Sequence, residues 1–206
     1  MNLDPTIQLN LFEHSSLLNH FSKLYKINKL PNKILLSGEK GVGKCTFAYH
    51  LINLILSENE DLPYDINNNL INNENRSFKL IQNKSCPNFN LIDITENRKN
   101  INIDQIRDLI INLNKSSFNN KPRFVLIDNI ELLNKNSVNA LLKILEEPNK
   151  RIVFILINNN KKILPTLKSR CLNFKMSLTH KQSIKITNNI LKTNINELLH
   201  EQLYDS

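Results

Sequence analysis

Glycine is nearly absent from this chain of 206 residues, which contains only three. Gly38, Gly41 and Gly43 lie within six residues of one another, so a single loop holds every glycine of the protein. Glycine adopts backbone conformations that are closed to other residues. A chain that uses it so sparingly needs it in this loop for backbone geometry, which makes the loop the first candidate for a functional element.

Cysteine and long apolar runs are also scarce. The three cysteines are an odd number, widely spaced and without a Cys-x-x-Cys pair: Cys45, Cys86 and Cys171. That pattern argues against a disulfide scaffold and against a structural zinc site. No apolar run reaches the roughly 18–20 residues of a membrane span, and the N-terminus lacks the order of a secretory signal. We therefore expect a soluble protein of a reducing, cytoplasmic compartment, without zinc and without a membrane partner.

The charge of the chain is basic and unevenly distributed. Lys and Arg number 27 against 19 Asp and Glu, which gives a formal net charge of +8. Residues 143–175 hold eight Lys or Arg and two acids, and so carry +6 of that charge. This stretch is either a solvated basic face or a surface that faces a triphosphate or the DNA backbone. No base-reading motif accompanies it, so sequence-specific DNA binding is not supported.

Five short apolar runs alternate with stretches of helical spacing. The runs are Ile34–Leu36, Phe89–Ile94, Phe124–Asp128, Ile152–Ile157 and Cys171–Phe174. The stretches of helical spacing cover residues 9–26, 47–55, 104–113, 137–147 and 178–206. Strands that are apolar throughout and alternate with helices predict an α/β fold, with a parallel sheet covered on both faces. Residues 58–85 have weak periodicity and predict a long irregular insertion.

The glycine loop reads Gly38-Glu39-Lys40-Gly41-Val42-Gly43-Lys44 and lies between a predicted strand and a predicted helix. That context is typical of a phosphate-binding loop. Glycines let backbone N–H groups converge on phosphate oxygens, the helix N-terminus adds partial positive charge, and Lys44 adds a full charge. The alternative is a tight strand-to-helix turn with an incidental lysine.

One position departs from the phosphate-loop pattern. The residue after the lysine is normally Ser or Thr, whose hydroxyl binds Mg²⁺. Here it is Cys45, a poor ligand for a hard cation. Thr46 comes one position late, about 100° further round the helix, and should point elsewhere. The sequence therefore predicts a loop that holds phosphate, with the placement of a metal ion in question.

An acid ends the third apolar run, where a P-loop ATPase needs one. Asp128 occupies that position, with capping of the following turn as the alternative. The next residue, Asn129, cannot act as a base toward water, and Glu131 lies two residues further on. Cys45, in place of Ser or Thr, affects metal binding, and Asn129, in place of an acid, affects the activation of water. They predict that this chain does not hydrolyse nucleotide.

Three blocks of sequence resemble the bacterial clamp-loader branch of the AAA+ family, and within it the delta-prime subunits of DNA polymerase III. The blocks are Leu126–Asp128, Asn139–Pro148 and Leu164–Cys171. The resemblance runs from about Leu30 to Phe174. It implies an AAA+ domain over residues 1–176, with 58–85 as an insertion, and the start of a helical lid over residues 177–206. The chain ends within that lid, earlier than the family pattern leads us to expect.

The resemblance also implies roles for individual residues. Clamp-loader subunits form an arc with ATP bound between neighbours, and the arginine of the Ser-Arg-Cys turn contacts the adjacent subunit's ATP; here that residue is Arg170. Asn158 occupies the place of a polar sensor of the γ-phosphate, with an ordinary loop residue as the alternative. The nucleotide-binding set carried over from the family is Gly38, Gly41, Gly43, Lys44, Cys45, Thr46, Asp128 and Asn158. Residues 58–85 contain no cysteine and so lack the zinc module of some relatives.

The leading hypothesis is an accessory subunit that binds ATP, with or without Mg²⁺, without hydrolysing it. Its partners would be the motor and delta-type subunits, the sliding clamp indirectly, and primed DNA without sequence preference. Two alternatives remain open. One is a working AAA+ ATPase such as a motor subunit; the other is a nucleotide-binding interaction module that affects no partner.

Overall fold

The computed structural model describes residues 4–94, 100–115, 119–146 and 151–191. Its centre is one five-stranded sheet in which every neighbouring pair is parallel. The strands are β1 Lys33–Ser37, β2 Phe89–Ile92, β3 Arg123–Ile127, β4 Ile152–Asn158 and β5 Leu172–Lys175. Their order across the sheet is β2-β3-β4-β1-β5. The predicted parallel sheet of five strands is therefore confirmed.

Helices connect the strands and cover both faces of the sheet. They are α1 Ser15–Lys26, α2 Lys44–Leu56, α3 Arg76–Gln82, α4 Ile103–Asn114, α5 Lys135–Glu146 and α6 Pro165–Lys168. A single 3₁₀ turn follows β3 at Ile130–Leu132, and residues 180–191 are helical. The helix expected over 137–147 begins two residues early, and its expected end at Glu147 and Pro148 lies outside the described residues. So does 192–206 of the predicted lid.

Alternate residues of each strand point to opposite faces, because side chains alternate along a strand. In β1, Ile34 and Leu36 pack on the side of α1 and α2 with Phe21 and Phe47. Leu35, between them, packs on the side of α4 and α5. The three inner strands β3, β4 and β1 are buried on both sides, which is why their central residues are apolar. The edge strands β2 and β5 are more exposed.

Two expectations about secondary structure need correction. The helix predicted from residue 9 begins at Ser15, because the preceding segment is extended and Asn10 pairs with Leu70 in an antiparallel bridge. The segment 58–85, expected to be irregular, contains α3. Its N-cap is Asn75, whose side chain accepts the backbone N–H of Phe78 at 2.9 Å and thereby satisfies one of the unpaired donors of the first turn.

A buried histidine joins the N-terminal segment to this insertion. The His50 ring bonds to the Tyr64 hydroxyl through Nδ1 at 2.8 Å and to the Gln8 carbonyl through Nε2 at 3.1 Å. Because a carbonyl only accepts, Nε2 carries the proton and Nδ1 accepts from the tyrosine. Burial lowers the pKa of His50 from 6.5 to about 4, so the neutral ring holds α2, residue 8 and the insertion together.

Among the described residues, no helix is long and apolar enough to cross a membrane.

Candidate nucleotide-binding site

The glycine loop connects β1 to α2, as the sequence predicted. Gly43 is the N-cap of α2 with φ 87°, a left-handed conformation in which a side chain is strained. Gly38 is required for a different reason: a Cβ on it would lie 2.1 Å from the carbonyl oxygen of Met176. The loop therefore depends on glycine at its start for space and at its end for backbone conformation.

Lys44 lies beneath the loop and is almost completely buried, with 3% of its surface exposed. Its Nζ donates to the carbonyl oxygens of Gly38 at 2.9 Å and Glu39 at 2.5 Å. Burial lowers the pKa of Lys44, and the nearby carboxylates of Asp128 and Glu131 oppose that shift. Two of its three N–H groups are engaged by the loop, which leaves one for a ligand.

The Cys45 thiol and the Asp128 carboxyl interact at the end of β3, and each affects the pKa of the other. Burial raises the pKa of Cys45 well above its usual value, and Asp128 raises it further. The pKa of Asp128 is raised as well, first by burial and then by the charge of Asp93. The cysteine is therefore a protonated thiol beside the acid. It does not supply the oxygen that a hard cation prefers.

A chain of amide and carboxylate groups spans the carboxyl ends of the strands beside this pair. Asn129 donates through Nδ2 to Asp93 Oδ1 at 2.8 Å. Its Oδ1 accepts from Asn159 Nδ2 at 2.7 Å, and the same amide donates to Glu131 Oε1 at 3.1 Å. The position that would hold a catalytic base thus holds an amide whose donor and acceptor are both occupied.

Asn158 and Asn159 have different surroundings. Asn158 is buried, and its amide bonds to the backbone of Lys161, donating to the carbonyl at 2.9 Å and accepting the N–H at 3.1 Å. It does not appear among the described residues that line the cavity beside the loop, whereas Asn159 does. The polar side chain at this strand end that faces the cavity is therefore one residue later than expected.

The cavity beside the glycine loop has a volume of about 450 Å³. One end is lined by residues 40–46 with Asp128 and Asn129, which brings Gly41, Gly43, Lys44, Cys45 and Thr46 of the predicted set together. The other end is lined by the N-terminal segment and by apolar side chains, which are Leu178 and, from the last helical segment, Ile186 and Ile190. The volume falls within the usual range for small-molecule sites.

The N-terminal segment is attached to the loop itself. His14 Nε2 donates to the carbonyl oxygen of Val42 at 2.9 Å. The amide N–H of Leu11 donates to the Asn69 carbonyl at 3.0 Å. The spacing of the five histidines in the sequence suits neither a metal site nor a catalytic pair, so it gives no sign of this contact. A contact between residues 28 positions apart leaves no periodic signal in the sequence.

The residues present fit the triphosphate of a nucleotide better than they fit its metal ion. The α2 N-terminus, the backbone of residues 40–44 and Lys44 would hold the phosphates, and the apolar end would take a base. Cys45 does not fit a Mg²⁺ ligand. Within the described part of the chain, no group of three or more His, Cys, Asp or Glu side chains is placed to hold a metal ion.

Arg170 does not appear among the described residues that line this cavity. It lies between α6 and β5, and its side chain is one-third exposed. Its Nη1 donates to the Thr166 carbonyl at 2.9 Å, and its Nη2 pairs with the Glu146 carboxylate at the end of α5. The guanidinium is therefore held at the surface of its own chain.

Comparison with known proteins places these features in a family. Residues 13–180 match the family model described as DNA polymerase III, delta subunit. The DNA polymerase III subunit gamma of Buchnera aphidicola subsp. Schizaphis graminum is 32% identical over 181 residues, which covers 87% of this chain and 47% of that protein. The DNA polymerase III subunit delta' of Pseudomonas aeruginosa is 32% identical over 138 residues, covering 66% and 40%. The chain spans about half or less of the length of these curated relatives.

A solved structure agrees with the fold. A DNA polymerase III gamma subunit-related protein from Thermotoga maritima aligns with a TM-score of 0.53 and 24% identity, covering 78% of this chain and 47% of that one. At this identity the likeness concerns the fold alone, and it confirms the AAA+ architecture.

Proposed function

This chain belongs to the family of the DNA polymerase III delta subunit, and we propose that within it the chain is a delta-prime-like accessory subunit of a clamp loader. It would bind ATP without hydrolysing it and would present Arg170 to the ATP site of a neighbouring motor subunit. Its partners would be that motor subunit, a delta-type subunit and, through them, the sliding clamp.

The observation that carries the proposal is the position of Arg170. Its guanidinium is one-third exposed and is separate from the described lining of the chain's own cavity. A planar fork of five N–H donors that stays charged at all ordinary pH values suits phosphate oxygens. From this position the guanidinium of Arg170 is better placed to contact a phosphate bound to another subunit than one bound at the glycine loop of its own chain. A trans-acting arginine is worth roughly 10³–10⁵ in rate in phosphoryl transfer.

The chain's own site supports the accessory role. Cys45 is a protonated thiol beside Asp128, so the pair does not offer Mg²⁺ the oxygen ligand set of an active P-loop site. Asn129 replaces a carboxylate base and has both ends of its amide engaged. Lys44 and the backbone of residues 40–44, which together form the phosphate cradle, are still present. We therefore propose that nucleotide binds here as a structural ligand.

The basic stretch 143–175 supports contact with DNA. Within it, five basic side chains are exposed: Arg151, Lys161, Lys162, Lys168 and Lys175. Phosphate contacts of this kind carry no sequence information. We propose that primed DNA binds here without sequence preference, with an affinity that falls steeply as salt rises.

The test is the ATPase of the assembled complex. The full chain is mixed with its cognate motor and delta-type subunits, and DNA-stimulated ATP turnover is measured for wild type, Arg170→Ala and Arg107→Ala. The Arg107 variant is the matched control, since it removes an exposed arginine that also pairs with a carboxylate, that of Asp104, outside the basic stretch. We expect Arg170→Ala to lower turnover by at least about 10³-fold at the site it faces. Equal turnover in all three samples would refute the trans role.

A working ATPase is the second candidate, and two observations favour it. Lys44 and Asp128 are retained, and the similarity to a gamma subunit is as high as that to a delta' subunit. Turnover by the purified chain in Mg²⁺, abolished by Lys44→Ala, would establish this candidate. Binding of ATP with no turnover favours the accessory subunit. ATP binding together with no effect on any partner would indicate an interaction module.

A further inference from the structure

Arg170 is held by two groups of its own chain that come from different elements. Its Nη2 pairs with the carboxylate of Glu146, the last residue of α5, and its Nη1 donates to the Thr166 carbonyl in α6 at 2.9 Å. Both terminal nitrogens of the guanidinium are therefore anchored before any partner arrives. The elements α5 and α6 are packed against each other, so the two anchors are fixed relative to one another.

We propose that Glu146 is a positioning residue that orients the guanidinium of Arg170 for the neighbouring subunit's ATP. This inference rests on the proposed function of Arg170. A guanidinium has five N–H donors, and the two anchors use two of them. The Nε N–H and one N–H on each terminal nitrogen stay available for phosphate oxygens.

The ion pair of Glu146 and Arg170 is better suited to orienting the guanidinium than to stabilising the fold. The Glu146 side chain is 56% exposed and that of Arg170 33%, and ion pairs at such exposure stabilise a fold very little. A long arginine side chain that is free in solution loses rotamer freedom when it docks, which weakens binding and slows the reaction it assists. A side chain already held by Glu146 and Thr166 has lost that freedom in advance.

The experiment compares Glu146→Ala and Glu146→Gln in the full chain, mixed with its cognate motor and delta-type subunits. We expect Glu146→Ala to lower the kcat of DNA-stimulated ATP hydrolysis about three- to tenfold, the effect of one side chain released from a fixed rotamer, with KM for ATP unchanged. Glu146→Gln should retain most of the rate, since its amide oxygen still accepts from Nη2. In an Arg170→Ala background, Glu146→Ala should have no further effect.

Asp104→Ala is the matched control, because Asp104 forms an exposed ion pair with Arg107 on α4 at 3.2 Å. It should leave kcat unchanged. If Glu146→Ala turns over as fast as wild type, or faster, while Arg170→Ala is slow, the positioning role is wrong and the proposed function stands. If Arg170→Ala is itself without effect, the proposed function fails. A loss in Glu146→Ala that accompanies weaker assembly on size-exclusion chromatography would also overturn the positioning role.

Discussion

The Cys45 thiol interacts with the Asp128 carboxyl, so the two residues that an active P-loop site would direct at a metal ion affect each other's pKa instead. The pair lies at the junction of α2 and β3, next to a buried lysine and a chain of amides. The site keeps the acid of an active P-loop, Asp128, but has a thiol at Cys45 where the hydroxyl ligand of the metal ion would be. The phosphate loop and the metal site therefore have to be considered separately.

Replacement of Cys45 by Thr restores a hydroxyl at this position. We expect Mg²⁺ to strengthen ATP binding to the variant by at least about fivefold, the low end of ordinary coupling between two ligands, and to have little effect on wild type. Isothermal titration calorimetry with Mg²⁺ or with a chelator measures both. Cys86→Thr is the control, because Cys86 does not line the cavity in the described part of the chain. Equal strengthening in wild type would contradict the prediction.

His50 makes the stability of the fold depend on pH. Its pKa is lowered from 6.5 to about 4 in the folded chain, so between these values the unfolded chain binds more protons than the folded one. Stability is fully present above pH 6.5 and is lost as the pH falls toward 4, by up to about 3 kcal/mol. Urea unfolding at pH 7 and pH 4.5 measures the change.

A variant separates this histidine from the carboxylates that also titrate in acid. His50→Gln should be less stable than wild type at pH 7 but should lose less stability between pH 7 and pH 4.5. His20→Gln, at an exposed histidine, should behave like wild type throughout. A His50→Gln profile parallel to that of wild type would show that His50 titrates alike in both states.

Two glycines of the loop should respond differently to alanine. In Gly38→Ala the new Cβ meets the backbone carbonyl of Met176, which cannot move without displacing β5, so we expect a loss of about 3 kcal/mol. In Gly41→Ala nothing lies within 4 Å of the new Cβ, and only the positive φ is strained, at a cost of about 1–2 kcal/mol. Thermal unfolding of both variants tests the order, and a reversed order would contradict it.

The two asparagines at the end of β4 also make a matched pair. Asn159→Ala should weaken ATP binding about two- to tenfold, the value of one hydrogen bond, and should lower the melting temperature less than Asn158→Ala does, because Asn159 is less buried. Asn158→Ala should lower the melting temperature, because it removes two bonds from the buried turn to Lys161. If ATP affinity depends on Asn158 and stability on Asn159, the original expectation from the sequence was right.

The centre of the sheet was predictable because its three inner strands are buried on both sides and their sequences are therefore apolar runs. Phe124–Asp128 and Ile152–Ile157 appear in the structure within one residue at each end. The loop before α2 was predictable because three glycines in one place have few other uses. Helix α3 was not, since its seven residues are too short to show a period and lie in an Asn-rich stretch.

The polar surroundings of the site were less predictable. A shift of one residue along a strand moves a side chain to the other face, and in a run of three asparagines the sequence does not say which one faces the cavity. The bonds of His14 to Val42 and of His50 to Gln8 join positions that are distant in the chain. Such contacts follow from the packing of the N-terminal segment, which local patterns do not encode.

The close contact between Gly38 and Met176 has a mechanical consequence. The glycine loop leaves the end of β1, and β5, which begins two residues after Arg170, pairs with β1 along its whole length. The Met176 N–H donates to the Ser37 carbonyl at 2.7 Å, immediately before the loop. The phosphate cradle and the arginine turn are thus attached to opposite ends of one hydrogen-bonded strand pair, which sets the distance between them.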